Sequence, residues 1–481
     1  MYAAHCTTGP RAPFLFLTVL ALTLASLGPS AAPASAQVSD PYPDPIPSTR
    51  GAVTVPVADF ARLPDIDGDP ARAMHLLVEP GTDRIFVVDM TGPLYAMAPD
   101  GSDMIEYIDV NDGAWGVSVE SGGRERGIQG FAFHPDFGTE GVDGYGRFYI
   151  WTDTNRTDPT PDFGPRNDDD AHDTVLLEFR ASDAAARTYD GGAPRELMRF
   201  QQPYGNHNGG QIAFNPLAER GSEGFGLLYV GVADGGSGGD PQNLAQDLGS
   251  GFGKIMRIDP LGSDGRNGSY GIPASNPFLE RAGALPEIWA YGVRNPQRFA
   301  WDATTGTFFF TDIGQNTVEE ISTATAGANL GWNTWEGSFR YMGRQGVDMQ
   351  APRGDPDMTF PVAEYGQDDP LLTNRAASTG LIVQRGGPVP ALDGRVLWGD
   401  LPSGEIFHFS ADDLPEGGQH ALRRVLLDAG DGPRSMLQLV QAENRRQGRS
   451  EASRTDLRMS PGPEGSIFLL NKHDGVIRVI R

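Results

Sequence analysis

The chain has 481 residues, 63 of them Gly and 38 Pro, with a formal charge of -25 at pH 7. So acidic a balance excludes nucleic acid and anionic membrane surfaces as partners, because both require basic patches. The size suffices for a self-supporting core, and a single cysteine, Cys6, leaves no internal disulfide to help it.

At the start of the chain, Arg11 precedes an apolar run from Phe14 to Leu27 and the small residues Ala34-Ser35-Ala36. This layout predicts a secretory signal peptide over 1–36, and the run is shorter than the roughly 20 residues of a membrane-spanning helix. The expected location is therefore the periplasm or the exterior, with no membrane span and no thiol in the mature chain. Residues 37–56, QVSDPYPDPIPSTRGAVTVP, read as a Pro-rich linker.

Beyond it, few stretches carry a helical period and turn residues recur throughout, which predicts an all-β class. Strand-turn-strand units repeat at 75–97, 130–153, 211–236, 298–315, 391–409 and 459–480. Radial repetition of such units predicts a six-bladed β-propeller of four-stranded antiparallel blades, a single domain over 57–481, with a β-sandwich as the alternative. Ligand sites in that architecture sit on loops near the central channel, so polar residues at strand ends are the ones to follow.

PDIDGDP (64–70) and RNDDDAHD (166–173) read as solvated acidic loops; the first lacks the glycine and terminal glutamate of an EF-hand. In YGNHNGGQIAF (204–214), His207 stands just before the strand 211–214, where it suits a general base or, equally, a capping role. Its neighbour Asn206 adds no charge, so the ring is expected to stay neutral. Within PEIWAYGVRNPQRFAWD (286–302), Arg294 and Asn295 occupy a tight turn between strands. A guanidinium beside an amide suits an oxyanion, a carboxylate or a quinone oxygen, or else simply pairs with an acidic loop. In TDIGQNTVEEIS (311–322), the carbonyls of Gly314 and Gln315, with Glu319 and Glu320 nearby, offer hard oxygens to calcium. P-loop, HExxH and dinucleotide signatures are all missing, which disfavours nicotinamide cofactors, ATP and catalytic zinc.

Taken in order, ERGIQGFAFHPDF (125–137), GNHNGGQIAF (205–214), GLLYVGVADGG (226–236), DLGSGFGKIMRIDP (247–260), EIWAYGVRNPQRFAWD (287–302), DIGQNTVEEI (312–321) and NLGWNTWEG (329–337) closely resemble the glucose/sorbosone dehydrogenase family. That resemblance implies a soluble six-bladed propeller using pyrroloquinoline quinone (PQQ) and calcium. It would oxidise an aldose or related sugar and pass electrons to a quinone or cytochrome acceptor. His207 matches the family's base, which takes the proton of the anomeric hydroxyl while hydride passes to the quinone C5. Arg294 and Asn295 match residues on the quinone oxygens, and Glu125 falls where the family has Gln or Glu near the cofactor. The carbonyls of Gly314 and Gln315 match the calcium loop. Arg454 and Arg458 correspond to arginines that reach the cofactor carboxylates. Pro402 stands where some members have a cofactor-contacting lysine, a departure for which Arg375 or Arg385 could compensate. A propeller that keeps the fold as a binding module without chemistry, and a calcium-dependent lactonase-type hydrolase, are the alternative functions.

Overall fold

The computed structural model describes residues 40–166, 171–373 and 375–481; the expected signal peptide with Cys6 and the centre of the second acidic loop lie outside them. Almost all regular structure is β. Strands Ala73–Val78, Ile85–Asp89, Pro93–Met97 and Ile105–Asp109 form one antiparallel sheet in chain order. The same order recurs in Ile128–Phe133, Arg147–Thr154, His172–Arg180 and Arg195–Gln202, and in Ile212–Phe214, Leu228–Val232, Lys254–Ile258 and Ile288–Tyr291. It recurs again in Pro296–Trp301, Phe308–Asp312, Val318–Thr323 and Ala363–Gly366.

Strands Ser378–Gln384, Arg395–Asp400, Ile406–Ser410 and Arg423–Asp428 form a further group. Strand Val53–Arg62 ties it to the C-terminal strands Arg458–Pro461, Ile467–Leu470 and Val476–Ile480. Val53 to Pro56 pair in parallel with Val425 to Asp428, and Val57 to Arg62 pair antiparallel with Ile480 to Val476. One strand thus fastens two sheets with its two halves. It also begins inside the stretch read as a linker, where Ile46 is already buried and donates its N–H to Asp369 Oδ2 at 2.7 Å.

The first strands of the successive sheets pack side by side, and the series closes on itself. Ala73–Val78 touches both Ile128–Phe133 and Arg458–Pro461, and Ser378–Gln384 lies between Pro296–Trp301 and Arg458–Pro461. Between Ile212–Phe214 and Pro296–Trp301 the contact is close backbone: Phe299 N–H donates to Gln211 Oε1 at 2.8 Å, and a Cβ on Gly210 would lie 1.8 Å from the Pro296 carbonyl. The fold is β-propeller-like, with apolar layers between neighbouring sheets. Phe86, Phe131, Phe148 and Phe179 fill one such layer. Each fully buried ring contributes about 1.5–3 kcal/mol over leaving it exposed. Because both faces of the sheets are covered, strands such as Ile85–Asp89 read as unbroken apolar runs rather than alternations.

Two elements differ from expectation. The unit at 391–409 comprises the second and third strands of its sheet; the first strand is Ser378–Gln384, STGLIVQ, whose polar ends and interior Gly380 hide it. A helix, Met436–Arg446, also interrupts the β pattern, capped by Ser435 and Gln438 and burying Met436, Leu439 and Val440.

Gly210→Ala is expected to lower stability by about 1–3 kcal/mol, the usual scale of overpacking, because the new Cβ meets a backbone carbonyl. Gly205→Ala, where a Cβ meets nothing within 4 Å, serves as its control. Urea denaturation midpoints check the pair, and equal midpoints would contradict the close approach.

Candidate active site

At one end of the ring of first strands lies a cavity of about 490 Å³. Its wall comes from segments entering first strands and leaving second strands, which the antiparallel order brings to the same end. Eight of the residues singled out for cofactor, metal or catalysis line it: Glu125, His207, Arg294, Asn295, Gly314, Gln315, Arg454 and Arg458. Pro402 and Arg375 line it too. Arg385 does not; its guanidinium is held between Asp302 (2.7 Å) and Asp412 (2.6 Å). It is thus no substitute for the lysine that Pro402 replaces.

His207 is 5% exposed and has φ 57°, a left-handed conformation uncommon for a side chain of its size. Its backbone N–H donates to Glu125 Oε2 at 2.9 Å. The following Gly209 is required by crowding: a Cβ there would lie 2.7 Å from the Trp151 indole nitrogen. Besides the uncharged Asn206, the fold brings a carboxylate to the ring: Asp234 Oδ1 lies 2.7 Å from Nδ1. Asp234 stands 27 residues along the chain, at the exit of the adjacent strand, where only the fold brings it to the ring. It is buried and also accepts from Gly236 N–H and the Trp332 indole, each at 2.9 Å. Burial alone would raise its pKa, but the His207 ring and the Arg294 guanidinium hold it below the usual aspartate value.

On the other side of the ring, Arg294 Nη2 lies 3.0 Å from His207 Nε2. A guanidinium only donates, so this contact casts Nε2 as the acceptor and points the Nδ1 side of the ring at the Asp234 carboxylate. The guanidinium is anchored by Nη1 on the Ile313 carbonyl (2.8 Å) and Nε on Gln315 Oε1 (3.2 Å), above the Trp332 ring. Asp312 receives the backbone N–H groups of Arg294 (2.8 Å) and Asn295 (2.6 Å) and so fixes the turn that carries both. Burial raises Asp312 above the ordinary carboxylate range, against those two donors and the Arg294 charge.

Six basic side chains, Arg124, Arg294, Arg375, Arg454, Arg458 and Lys472, face the cavity against two acidic ones, Glu125 and Asp456. Asp456 is already committed, to Arg454 Nε at 2.7 Å and His473 Nε2 at 2.9 Å. Arg458 is fully buried with no partner at Nε, and burial pushes it down to about 10. Burial and the Arg458 charge likewise hold Lys472 well below the usual lysine value. Uncompensated buried cations call for an anion, so the residues present fit a polycarboxylate such as PQQ. Lys472 and Arg124 escaped the sequence reading; in NKHDG the lysine follows a strand end, the same signal that marked His207.

The loop at Gly314 fits calcium less fully. Gly314 cannot bear a side chain, since a Cβ would fall 1.5 Å from the Val318 carbonyl. Among the described residues no hydrogen bond ends on the Gly314 or Gln315 carbonyl. Two carbonyls are, however, well short of the six to eight oxygens calcium takes, so the loop fits an ion only together with an anionic cofactor. Glu319 and Glu320, expected to assist, are turned away. Glu319 accepts from Ser378 N–H and Gln367 Nε2, each at 2.7 Å, and Glu320 from Gly337 N–H at 2.6 Å.

A family model described as "Glucose / Sorbosone dehydrogenase" matches residues 72–436. The chain belongs to the glucose/sorbosone dehydrogenase family. Among curated relatives, "HIPL1 protein" of Arabidopsis thaliana is 31% identical over 73% of this chain and 54% of its own length. "Aldose sugar dehydrogenase YliI" of Escherichia coli is 26% identical over 47% of this chain and 53% of its own. "Hedgehog-interacting protein" of Homo sapiens is 29% identical over 48% of this chain and 30% of its own. The chain thus spans about half the length of the first curated relatives it matches. The PQQ-bound aldose sugar dehydrogenase of Streptomyces coelicolor shares the fold with TM-score 0.55 at 20% identity, over 88% of this chain and 97% of its own.

Glu319 yields a pH test. Burial, with Asp400 adding, pushes it up to about 8 from an ordinary 4.5. A raised carboxyl favours the folded state most below pH 4.5, and that contribution declines as pH rises towards 8. Glu319→Gln, which mimics the protonated form, is therefore expected to gain stability over the parent between pH 5 and pH 8, by more than about 1 kcal/mol. Urea melts at the two pH values measure the gap; a gap that does not widen contradicts the burial of this carboxyl.

Proposed function

We propose that this chain is an exported quinoprotein sugar dehydrogenase built on a six-bladed propeller, oxidising an aldose or related sugar. In this reading the basic cavity holds PQQ, with Arg454, Arg458 and Lys472 on its carboxylates and Arg294 and Asn295 on its quinone oxygens. Gly314 and Gln315 supply carbonyls to a calcium bound with it. The observation that carries the reading is a buried His207, oriented by Asp234, facing a guanidinium in a cavity with surplus positive charge. Bound there, PQQ with its calcium would supply the two-electron acceptor that no side chain provides.

The chain's own residues do the rest. His207 Nε2 accepts the proton of the sugar C1 hydroxyl, and Asp234 stabilises the imidazolium that forms, as a carboxylate behind a catalytic histidine does. For Nε2 to act, Arg294 Nη2 must yield its place; the bonds from Nη1 and Nε to Ile313 and Gln315 keep the guanidinium in the cavity meanwhile. There its charge stabilises negative charge developing on an oxygen of the acceptor, commonly a large catalytic term. The enclosed walls exclude bulk water and strengthen both effects.

A second reading, a propeller that binds a partner without chemistry, is favoured by one observation. A matched relative is named for an interaction rather than for a reaction: "Hedgehog-interacting protein". The lactonase-type alternative has less support, since no three His, Cys, Asp or Glu side chains form a metal-holding group among the described residues.

Chain reconstituted with PQQ and calcium, screened over aldoses with an artificial electron acceptor, is expected to reduce that acceptor. His207→Gln should cut turnover by roughly a hundredfold or more, the scale of a general base, while retaining the cofactor. Arg294→Ala should lower both cofactor binding and rate. Full activity in His207→Gln would remove its assigned role, and a parent chain inactive on every aldose would favour the binding reading.

A further inference from the structure

Behind the basic cavity the first strands enclose a second one, of about 530 Å³, separated from it by a single layer of residues. Gln297 and Arg458 face the first cavity; their chain neighbours Arg298 and Met459 face the second. Aromatic and aliphatic side chains make most of its wall, among them Phe131, Phe133, Phe214 and Trp301, the last two half-buried where the cavity opens outward. No carboxylate lines it, and Arg298 is the one charged side chain that does.

Arg298 is fully buried. Nη1 donates to the Gln297 carbonyl (2.6 Å) and Nη2 to the Met74 carbonyl (2.9 Å), while Nε has no partner. Two of its five N–H groups are therefore met by neutral acceptors, and no acidic side chain balances the charge. Arg199, almost as buried, shows the ordinary solution: Asp173 and Glu196 each lie 2.6 Å from it. His75, beside Arg298, has an unpartnered Nδ1 and is pressed down to about 3 by burial and the Arg298 charge, so it remains neutral. It therefore adds no second charge beside the guanidinium.

A lone desolvated guanidinium at the floor of an apolar cavity lacks a counter-anion whose remainder is apolar. The volume lies within the range of small-molecule sites, about 300–1,000 Å³. We infer that this cavity binds an amphiphilic monocarboxylate, its carboxylate on Arg298 and its hydrocarbon body along Phe131, Phe214 and Trp301. One cation selects a single carboxylate over a polyanion, and the apolar wall gives a sugar few groups to hydrogen-bond. The site is independent of the sugar dehydrogenase reading and stands whether or not that reading holds.

Calorimetric titration of the full chain with octanoate, and with octanol as its uncharged match, tests the inference. Octanoate is expected to bind in equimolar amount and at least roughly tenfold more tightly than octanol, the value of one charge-assisted contact. Arg298→Gln should bring octanoate down to the level of octanol. Ala300→Trp, which fills the cavity from a half-buried wall position, should remove both. Circular dichroism confirms that Arg298→Gln folds; if it does not, Ala300→Trp decides. Equal binding of octanoate and octanol, octanoate binding that survives Ala300→Trp, or loss of it in Arg454→Gln, a residue outside the second cavity, would each overturn the inference.

Discussion

The hydrogen bond between His207 Nδ1 and Asp234 is the contact on which the functional centre depends. It selects the tautomer of the ring, turns Nε2 into the cavity and joins a loop before one first strand to the end of the strand beside it. Asp234 also accepts from the Trp332 indole, and its backbone N–H donates to the Arg294 carbonyl at 2.8 Å. A buried carboxylate is tolerated only when its oxygens are met by donors, and here the donors are the elements that must be positioned. Asp312 does the same for the backbone of Arg294 and Asn295. His207 and Arg294 are thus aligned before any ligand arrives, and in the proposed reading this is the preorganisation from which electrostatic catalysis draws its strength.

Charge distribution gives that centre its selectivity. A chain with a formal charge of -25 gathers six cationic side chains around one cavity and leaves Arg458 and Lys472 buried without enough carboxylate to balance them. An acidic exterior around a basic concavity focuses the field on the mouth and draws small anions inward. Arg298, one layer deeper, extends the same pattern into apolar surroundings, where a single charge and a hydrocarbon wall favour a different kind of anion. Two adjacent cavities in one channel therefore differ in the ligand chemistry they accept.

Much of this was legible from residues alone. His207, Arg294 and Asn295 stood out because each lies at a strand end beside glycine or proline, whereas Glu125, Arg454 and Arg458 were marked by the family resemblance, and the fold brings all six to one cavity. Asp234 was not legible, since in GVADGG nothing local distinguishes a buried aspartate from a turn aspartate; its role arises only when two sheets meet. Glu319 and Glu320 misled for the complementary reason. In a strand, successive side chains point to opposite faces, and this pair is engaged by Ser378 N–H, Gln367 Nε2 and Gly337 N–H rather than by the loop that contributes Gly314. The strand Ser378–Gln384 was missed because its ends are polar, and the helix Met436–Arg446 because it buries only a narrow apolar stripe.

Direct titration of the purified chain with PQQ, with and without calcium, tests the central claim that this basic cavity holds an anionic quinone cofactor. The account predicts equimolar retention of quinone absorbance on the protein after gel filtration, dependent on calcium, and at least roughly tenfold weaker binding in Arg454→Gln. PQQ that elutes free of the parent chain in the presence of calcium, or that binds Arg454→Gln as tightly as the parent, would contradict it.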